Sequence, residues 1–299
     1  MLARFEREAV WGRFDTGRYR CPYYVWGDGP PLLFVHGLCD EARSFLLPIG
    51  LLSRHFCCIS YDLPTGRADG AVLAAYRHAD LVRDVHALLD HLAINRCDVL
   101  GSSFGSTIAL AAMHEQPERF GHGILQGGFA HRPLAWAEVL LARLARYWPW
   151  PMHRLPLLAP VLRYSHGGSF RDRGPEFWGY FLQRNGAAPM KAVARRALLL
   201  HEVDFRHLLP HIQQPVLLIC GDEDPLVGKA CEEVLQAGLP HATRLEIARC
   251  GHLPHFTHPE MFAEVIRRFL LPLPCPEAPC PEAPCPELCE QATEMARSP

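Results

Sequence analysis

The chain has 299 residues, 49% hydrophobic and 21% charged, which is ordinary globular usage and excludes wholesale disorder and collagen-like repeats. Its 30 Lys and Arg against 32 Asp and Glu leave a formal charge of −2, with no overall basic field for nucleic acid. The first ten residues carry charge where a secretory leader needs an apolar run, and no 18-residue apolar stretch occurs, so a cytoplasmic protein is expected. Taken in order, Tyr23–Trp26 reads as a strand and Gly27–Pro31 as a turn. Leu32–His36 is a continuous apolar run, the pattern of a strand covered on both faces. A helix over 41–54 leads to a second such strand at Phe56–Tyr61. From Ala79 to Leu92 the positions Leu81, Val85, Leu88, Leu89 and Leu92 recur at helical spacing. Asp98–Gly101 is the third strand, Ser103–Glu115 a helix, and Gly123–Gln126 the fourth strand.

Repeated strand–helix–strand units imply a mostly parallel sheet flanked by helices. The alternation stops over 129–210, which is helical and punctuated by proline. It resumes with Val216–Cys220, a helix near 228–237, Thr243–Ile247 and a helix at 259–270. A helical insertion between two strands of a parallel sheet reads as a cap over the edge where ligands bind. The expected division is therefore a core from 1–128 and 211–271, a helical cap at 129–210, and a tail at 272–299. In that tail Cys275-Pro-Glu-Ala-Pro repeats with Cys280 and Cys285, a density of proline that forbids helix and central strand and predicts an extended, disordered segment.

The chemistry concentrates at Gly101-Ser-Ser103-Phe-Gly105, which follows a strand and opens a helix. A serine at such a turn projects its hydroxyl above the sheet at the positive end of a helix, and the flanking glycines make room for the turn. The alternative is a structural serine capping the helix. A serine hydroxyl needs a base that is itself held by a carboxylate. Both follow strand-like runs: Gly221-Asp-Glu-Asp224, in which Asp222 competes with Asp224, and Gly251-His252.

These motifs, with Gly29-Pro-Pro-Leu-Leu-Phe-Val-His36-Gly37, make the chain resemble the α/β-hydrolase superfamily, in its capped serine esterase-like branch, over about residues 19–271. The resemblance implies the α/β-hydrolase fold, with the cap inserted after the fourth predicted core strand. It implies Ser103 as nucleophile, His252 as general base and then acid, and Asp224 as the orienting carboxylate. It further implies an oxyanion hole from the backbone N–H groups of Leu38 and Phe104, with the His36 side chain structural. No His-Glu-x-x-His, no Cys-x-x-Cys in the body and no Gly-x-Gly-x-x-Gly occurs, so neither a metal nor any other cofactor is expected.

The cap segment 129–214 carries twelve Lys or Arg and five acids. Ala137, Leu140, Leu141, Leu144 and Trp148 form a helical stripe, and Leu144 and Trp148 are the expected pocket residues. The segment fits a packed lid, an acyl pocket for lipid-like esters, or contact with a membrane surface. The expected activity is hydrolysis of a small-molecule carboxylic ester through an acyl-enzyme. The same triad also serves thioesterases, peptidases, acyltransferases and carbon–carbon bond hydrolases, and a non-catalytic binding protein is the rival of another class.

Overall fold

The computed structural model describes residues 1–156 and 158–271, except the side chain at 165; the repeat tail expected over 272–299 lies outside the described residues. Strands β1 (Val10–Asp15), β2 (Arg20–Trp26), β3 (Pro31–Val35), β4 (Cys57–Tyr61), β5 (Cys97–Ser102), β6 (Phe120–Gln126), β7 (Val216–Gly221) and β8 (Ala242–Ile247) form one sheet in the order 1-2-4-3-5-6-7-8. β1 and β2 pair antiparallel, as do β2 and β4, and every other pair is parallel.

The central strands follow from their sequences. Side chains alternate across a strand, so Leu33, Val35, Val99 and Leu218 enter one buried layer while Leu32, Phe34, Leu100 and Leu217 enter the other. A strand covered on both faces has no polar side to show, hence the unbroken apolar runs. Helices α1 (Leu2–Glu8) and α2 (Leu46–Leu52) supply the second layer with Phe5, Leu46 and Ile49, and α3 (His78–His91) and α4 (Phe104–Glu115) supply the first with Val85, Leu88 and Ile108.

Four helices join β6 to β7: α5 (Trp136–Ala145), α6 (Leu158–His166), α7 (Pro175–Ala187) and α8 (Met190–Glu202). Leu162 of α6 and Phe181 of α7 pack with Phe170, Leu253 and Phe256, binding this segment to the loop after β8. The chain closes with α9 (Lys229–Gly238), α10 (Pro254–Thr257) and α11 (Pro259–Leu270). Among the described residues no helix is long and apolar enough to cross a membrane.

Several boundaries differ from the sequence reading. β1 was not expected, and β2 begins at Arg20 rather than Tyr23; Pro22, which cannot donate to a ladder, hid a strand at the sheet's antiparallel margin. The hairpin turns at Gly17, in a left-handed conformation with its N–H donating to Asp15. β6 begins three residues early, at Phe120: Gly121 lies so close to Asp98 that a Cβ would stand 2.7 Å from its Oδ1, and the glycines there masked the strand. The helix expected over 41–54 opens as a 3-10 turn, Ala42–Phe45, before α2.

Candidate active site

β5 ends at Ser102 and α4 starts at Phe104, one residue later than expected, so Ser103 is the joint. Its backbone lies at φ +51°, ψ −118°, a conformation that costs about 1–3 kcal/mol outside glycine and persists only where neighbours enforce it. The Ser103 N–H donates to the Gln126 carbonyl at 2.8 Å, and the Ser106 hydroxyl donates to the Ser103 carbonyl at 2.6 Å. The two glycines are required by proximity. A Cβ at Gly101 would stand 2.5 Å from the Gly105 carbonyl oxygen, and one at Gly105 would stand 2.2 Å from that of Val35. Ser103 does not cap α4 with its side chain, contrary to the structural alternative, and its hydroxyl faces a cavity.

His252 and Asp224 meet at the same cavity. The Nδ1 of His252 lies 2.7 Å from Asp224 Oδ2, while Asp224 Oδ1 accepts the N–H groups of Leu226 and Val227 at 2.8 and 3.0 Å. Burial pushes the Asp224 carboxyl up, but the hydrogen bond and charge of His252 and the two amides outweigh it and hold the group below its usual range. The His252 ring lies against Gly127, where a Cβ would come within 2.7 Å of Cε1. Asp222 is exposed and turned away: its Oδ1 accepts the Cys250 N–H at 3.0 Å, bracing the turn that leads to His252.

Gln126 was not singled out from the sequence. Its Nε2 donates to the His252 carbonyl at 2.8 Å and its Oε1 accepts the Ser102 hydroxyl at 2.5 Å, tying the end of β5 to the histidine loop. The available signal was an amide ending an apolar run in a strand next to the serine turn.

The turn after β3 brings Leu38 beside the serine: a Cβ on Gly37 would lie 3.4 Å from Ser103 Cβ. His36 donates from Nδ1 to the Gly37 carbonyl at 2.9 Å and accepts the Leu63 N–H at Nε2 at 3.0 Å, which fixes its neutral tautomer. Burial, and then the charge of Arg196, hold its pKa well below the usual value. Arg196 of α8, almost fully buried, donates to the carbonyls of Leu38 and Leu63 at 3.0 and 3.1 Å and to those of Asp40 and Pro64 at 3.4 Å. A side chain from the helical segment thus clamps the turn that carries the Leu38 amide. Among the described residues neither the Leu38 nor the Phe104 N–H has an acceptor, and both stand beside Ser103.

The cavity holds about 550 Å³ and is walled chiefly by apolar side chains of the helical segment, among them Leu141, Ala142, Met152, Leu155, Val193 and Leu200. Leu144 and Trp148 are not among them. Leu144 is 61% exposed and Trp148 packs edge-to-face on Trp150. α5 packs against α8, and the α5 residues that line the cavity are Glu138, Leu141, Ala142 and Ala145, a stripe rotated by one position from the one read in the sequence; Ala142 is buried, whereas Leu141 stays 65% exposed. Asp40, His166 and Asn185 also line the cavity and were not anticipated. Among the described residues no three His, Cys, Asp or Glu side chains converge as a metal site needs.

Such an arrangement of serine, histidine and buried carboxylate beside two free backbone amides has the parts needed to activate a hydroxyl and hold an oxyanion. Comparison with known proteins agrees with the fold. The family model described as "alpha/beta hydrolase fold" matches residues 30–259. The uncharacterized hydrolase YugF of Bacillus subtilis is 27% identical over 246 residues, covering 80% of this chain and 89% of its own. The 3-oxoadipate enol-lactonase 2 of Acinetobacter baylyi is 26% identical over 239 residues, 80% of this chain and 88% of its own. Among solved structures, the enol-lactonase of Burkholderia xenovorans superposes with a TM-score of 0.78 at 21% identity, over 87% of this chain and 99% of that one.

Proposed function

From the premise that the chain belongs to the α/β-hydrolase fold family, we propose that it is a serine hydrolase that cleaves carboxylic esters through an acyl-enzyme. The observation that carries this reading is the 2.7 Å His252–Asp224 pair opening on the cavity that Ser103 faces. The Ser103 oxygen attacks the acyl carbon as His252 Nε2 takes its proton. Asp224 keeps Nδ1 protonated, which leaves Nε2 free to act as base, and stabilises the imidazolium that forms. The carbonyl oxygen becomes an oxyanion between the Leu38 and Phe104 amides, each worth about 3–4 kcal/mol by analogy with other oxyanion holes. His252 returns the proton to the departing alcohol, and water, activated by the same histidine, releases the acid from Ser103.

Ester chemistry is supported by the enol-lactonase relative, whose named substrate is a cyclic ester. In this reading residues 129–210 act as the cap, and the apolar walls they contribute take the acyl chain. The test combines a fluorophosphonate probe with p-nitrophenyl esters. Wild type should label at one serine and turn over the esters, and Ser103→Ala should lose both while keeping its fold. Labelling or turnover that survives in Ser103→Ala would refute the assignment.

A further inference from the structure

Among the described residues, eight of the fifteen exposed large hydrophobic side chains fall between 136 and 164. On α5 they form a stripe. Trp136, Leu140 and Leu144, with Tyr147 just past the helix end, recur at i, i+4, i+8 and i+11, and all four are exposed. Glu138, Ala142 and Ala145, which line the cavity, lie on the opposite side. The face of α5 turned away from the active site is therefore apolar, and soluble chains seldom leave such a face uncovered.

Charge says what covers it. Arg143 sits within the stripe, and Arg146, Arg154 and Arg163 stand exposed in the same stretch of chain. Arg146 lies over the Tyr147 ring at 4.6 Å. Glu138 is the sole acid between 136 and 164, and it pairs with Arg132 at 3.9 Å on the cavity side. A chain with a formal charge of −2 thus gathers its positive charge beside its exposed apolar residues. Trp and Tyr settle where hydrocarbon meets headgroups, and an arginine stem lies along apolar surface while its charged end reaches a phosphate. An apolar helix face bearing Trp and Leu, with arginines along it, is the composition of helices that lie in an anionic lipid surface. A second copy of the chain suits the face badly, because a two-fold contact sets the stripe on itself, arginine against arginine.

We propose that the outer face of α5 docks on an anionic lipid surface. The cavity reaches solvent beside it, since Leu141 both lines the cavity and is exposed. An ester dissolved in that surface enters past Leu141 rather than through bulk water. The docking goes beyond the esterase reading and does not depend on the chemistry at Ser103.

The experiment is flotation of the full-length protein with vesicles of phosphatidylcholine alone, or of phosphatidylcholine mixed with phosphatidylglycerol. Wild type should bind the anionic vesicles about tenfold or more tightly than the neutral ones. The pair Leu140→Glu and Leu144→Glu should weaken that binding at least about tenfold. The pair Arg143→Glu and Arg146→Glu should abolish the preference for anionic lipid. None of these four side chains lines the cavity, so both double variants should label with fluorophosphonate in free solution as wild type does. If the leucine pair does not fold, the arginine pair decides. Wild type that ignores both vesicles, binds them equally, or loses nothing in either double variant would overturn the docking. A wild-type dimer that ignores vesicles and is broken by the leucine pair would also overturn it, and assign the face to a second copy. Wild type that floats with anionic vesicles yet never labels with fluorophosphonate would overturn the esterase reading and leave the docking standing.

Discussion

Asp222 and Asp224 stand two residues apart after β7, and their surroundings give them different work. Asp224 Oδ2 faces His252 Nδ1, with Oδ1 pinned by two amides, whereas Asp222 holds the Cys250 N–H at the surface. Asp224→Asn would put an amide N–H₂ or a neutral carbonyl against Nδ1. The first favours the tautomer with its proton on Nε2, which cannot accept from Ser103, and the second fails to stabilise the imidazolium. In a serine protease the equivalent change lowers kcat about ten-thousandfold, and a loss of at least about a thousandfold is expected here. Asp222→Asn keeps an oxygen to accept the Cys250 N–H, so kcat/KM should stay within about threefold, with a stability loss under about 1 kcal/mol. Steady-state kinetics of the two variants decide the matter, and equal losses would reverse the assignment. The spacing Gly221-x-x-Asp224 favoured the aspartate that pairs with His252, but the cause of the pairing was not legible: which carboxylate meets the histidine depends on where the loop after β8 lands, 28 residues further along.

The helices of the joining segment show how far an apolar pattern reaches. Strands β3, β5 and β7 were readable because both their faces are covered, so every position carries the signal. α5 is apolar nearly all round, with Trp136 80%, Leu140 49% and Leu144 61% exposed, so the pattern announces a helix without saying which side turns inward. The side that meets the cavity carries Ala142, the buried residue of this helix. If the inner face lines an acyl site, each added methylene should raise kcat/KM up to about fourfold until the space is full. Ala142→Phe fills part of that space and should bring the maximum of the chain-length profile down by about two carbons. Leu144→Ala removes a solvent-facing side chain and should leave the profile where it was. Profiles from acetate to dodecanoate esters measure both, and an equal shift in the two variants would mean that Leu144, too, reaches the substrate.

Across the whole molecule the buried histidines set the response to acid. Seventeen histidines are scattered along the chain; the Gly251-His252 motif singles out His252, but nothing in the sequence says what surrounds His255, three positions on. The fold separates them completely: His252 has Asp224, while His255 has no partner for either ring nitrogen and is walled by Phe45, Phe256 and Phe262 at centroid distances of 5.0, 4.6 and 6.4 Å. Burial drives the His255 pKa down to about 3, and those of His78 and His166 to about 4. A histidine depressed in the folded state takes up its proton first in the unfolded chain, near pH 6.5, so stability falls as the pH drops from about 6.5 toward the folded value. Asp62 works the other way. Burial raises its carboxyl to about 6, so the folded state binds that proton first and gains stability as the pH falls from about 6 to 4. Burial raises the carboxyls of Asp40, Glu41, Asp84 and Glu115 as well, but it also lowers His36, His86, His91 and His258, so seven depressed histidines stand against five raised carboxyls and acid should destabilise the protein overall. His255→Phe isolates one contribution, because Asp62 and the other histidines are common to both proteins. A phenyl ring replaces an unpartnered imidazole in an aromatic pocket, so near pH 7 the variant should lie within about 1 kcal/mol of wild type or above it. At pH 5 the wild-type unfolded state is favoured by a proton on His255 that the variant cannot bind, which adds about 2 kcal/mol to the variant's relative stability. Urea unfolding of both proteins at the two pH values measures the difference directly. A stability difference that does not change between pH 7 and pH 5 would mean that His255 is not held neutral by its burial.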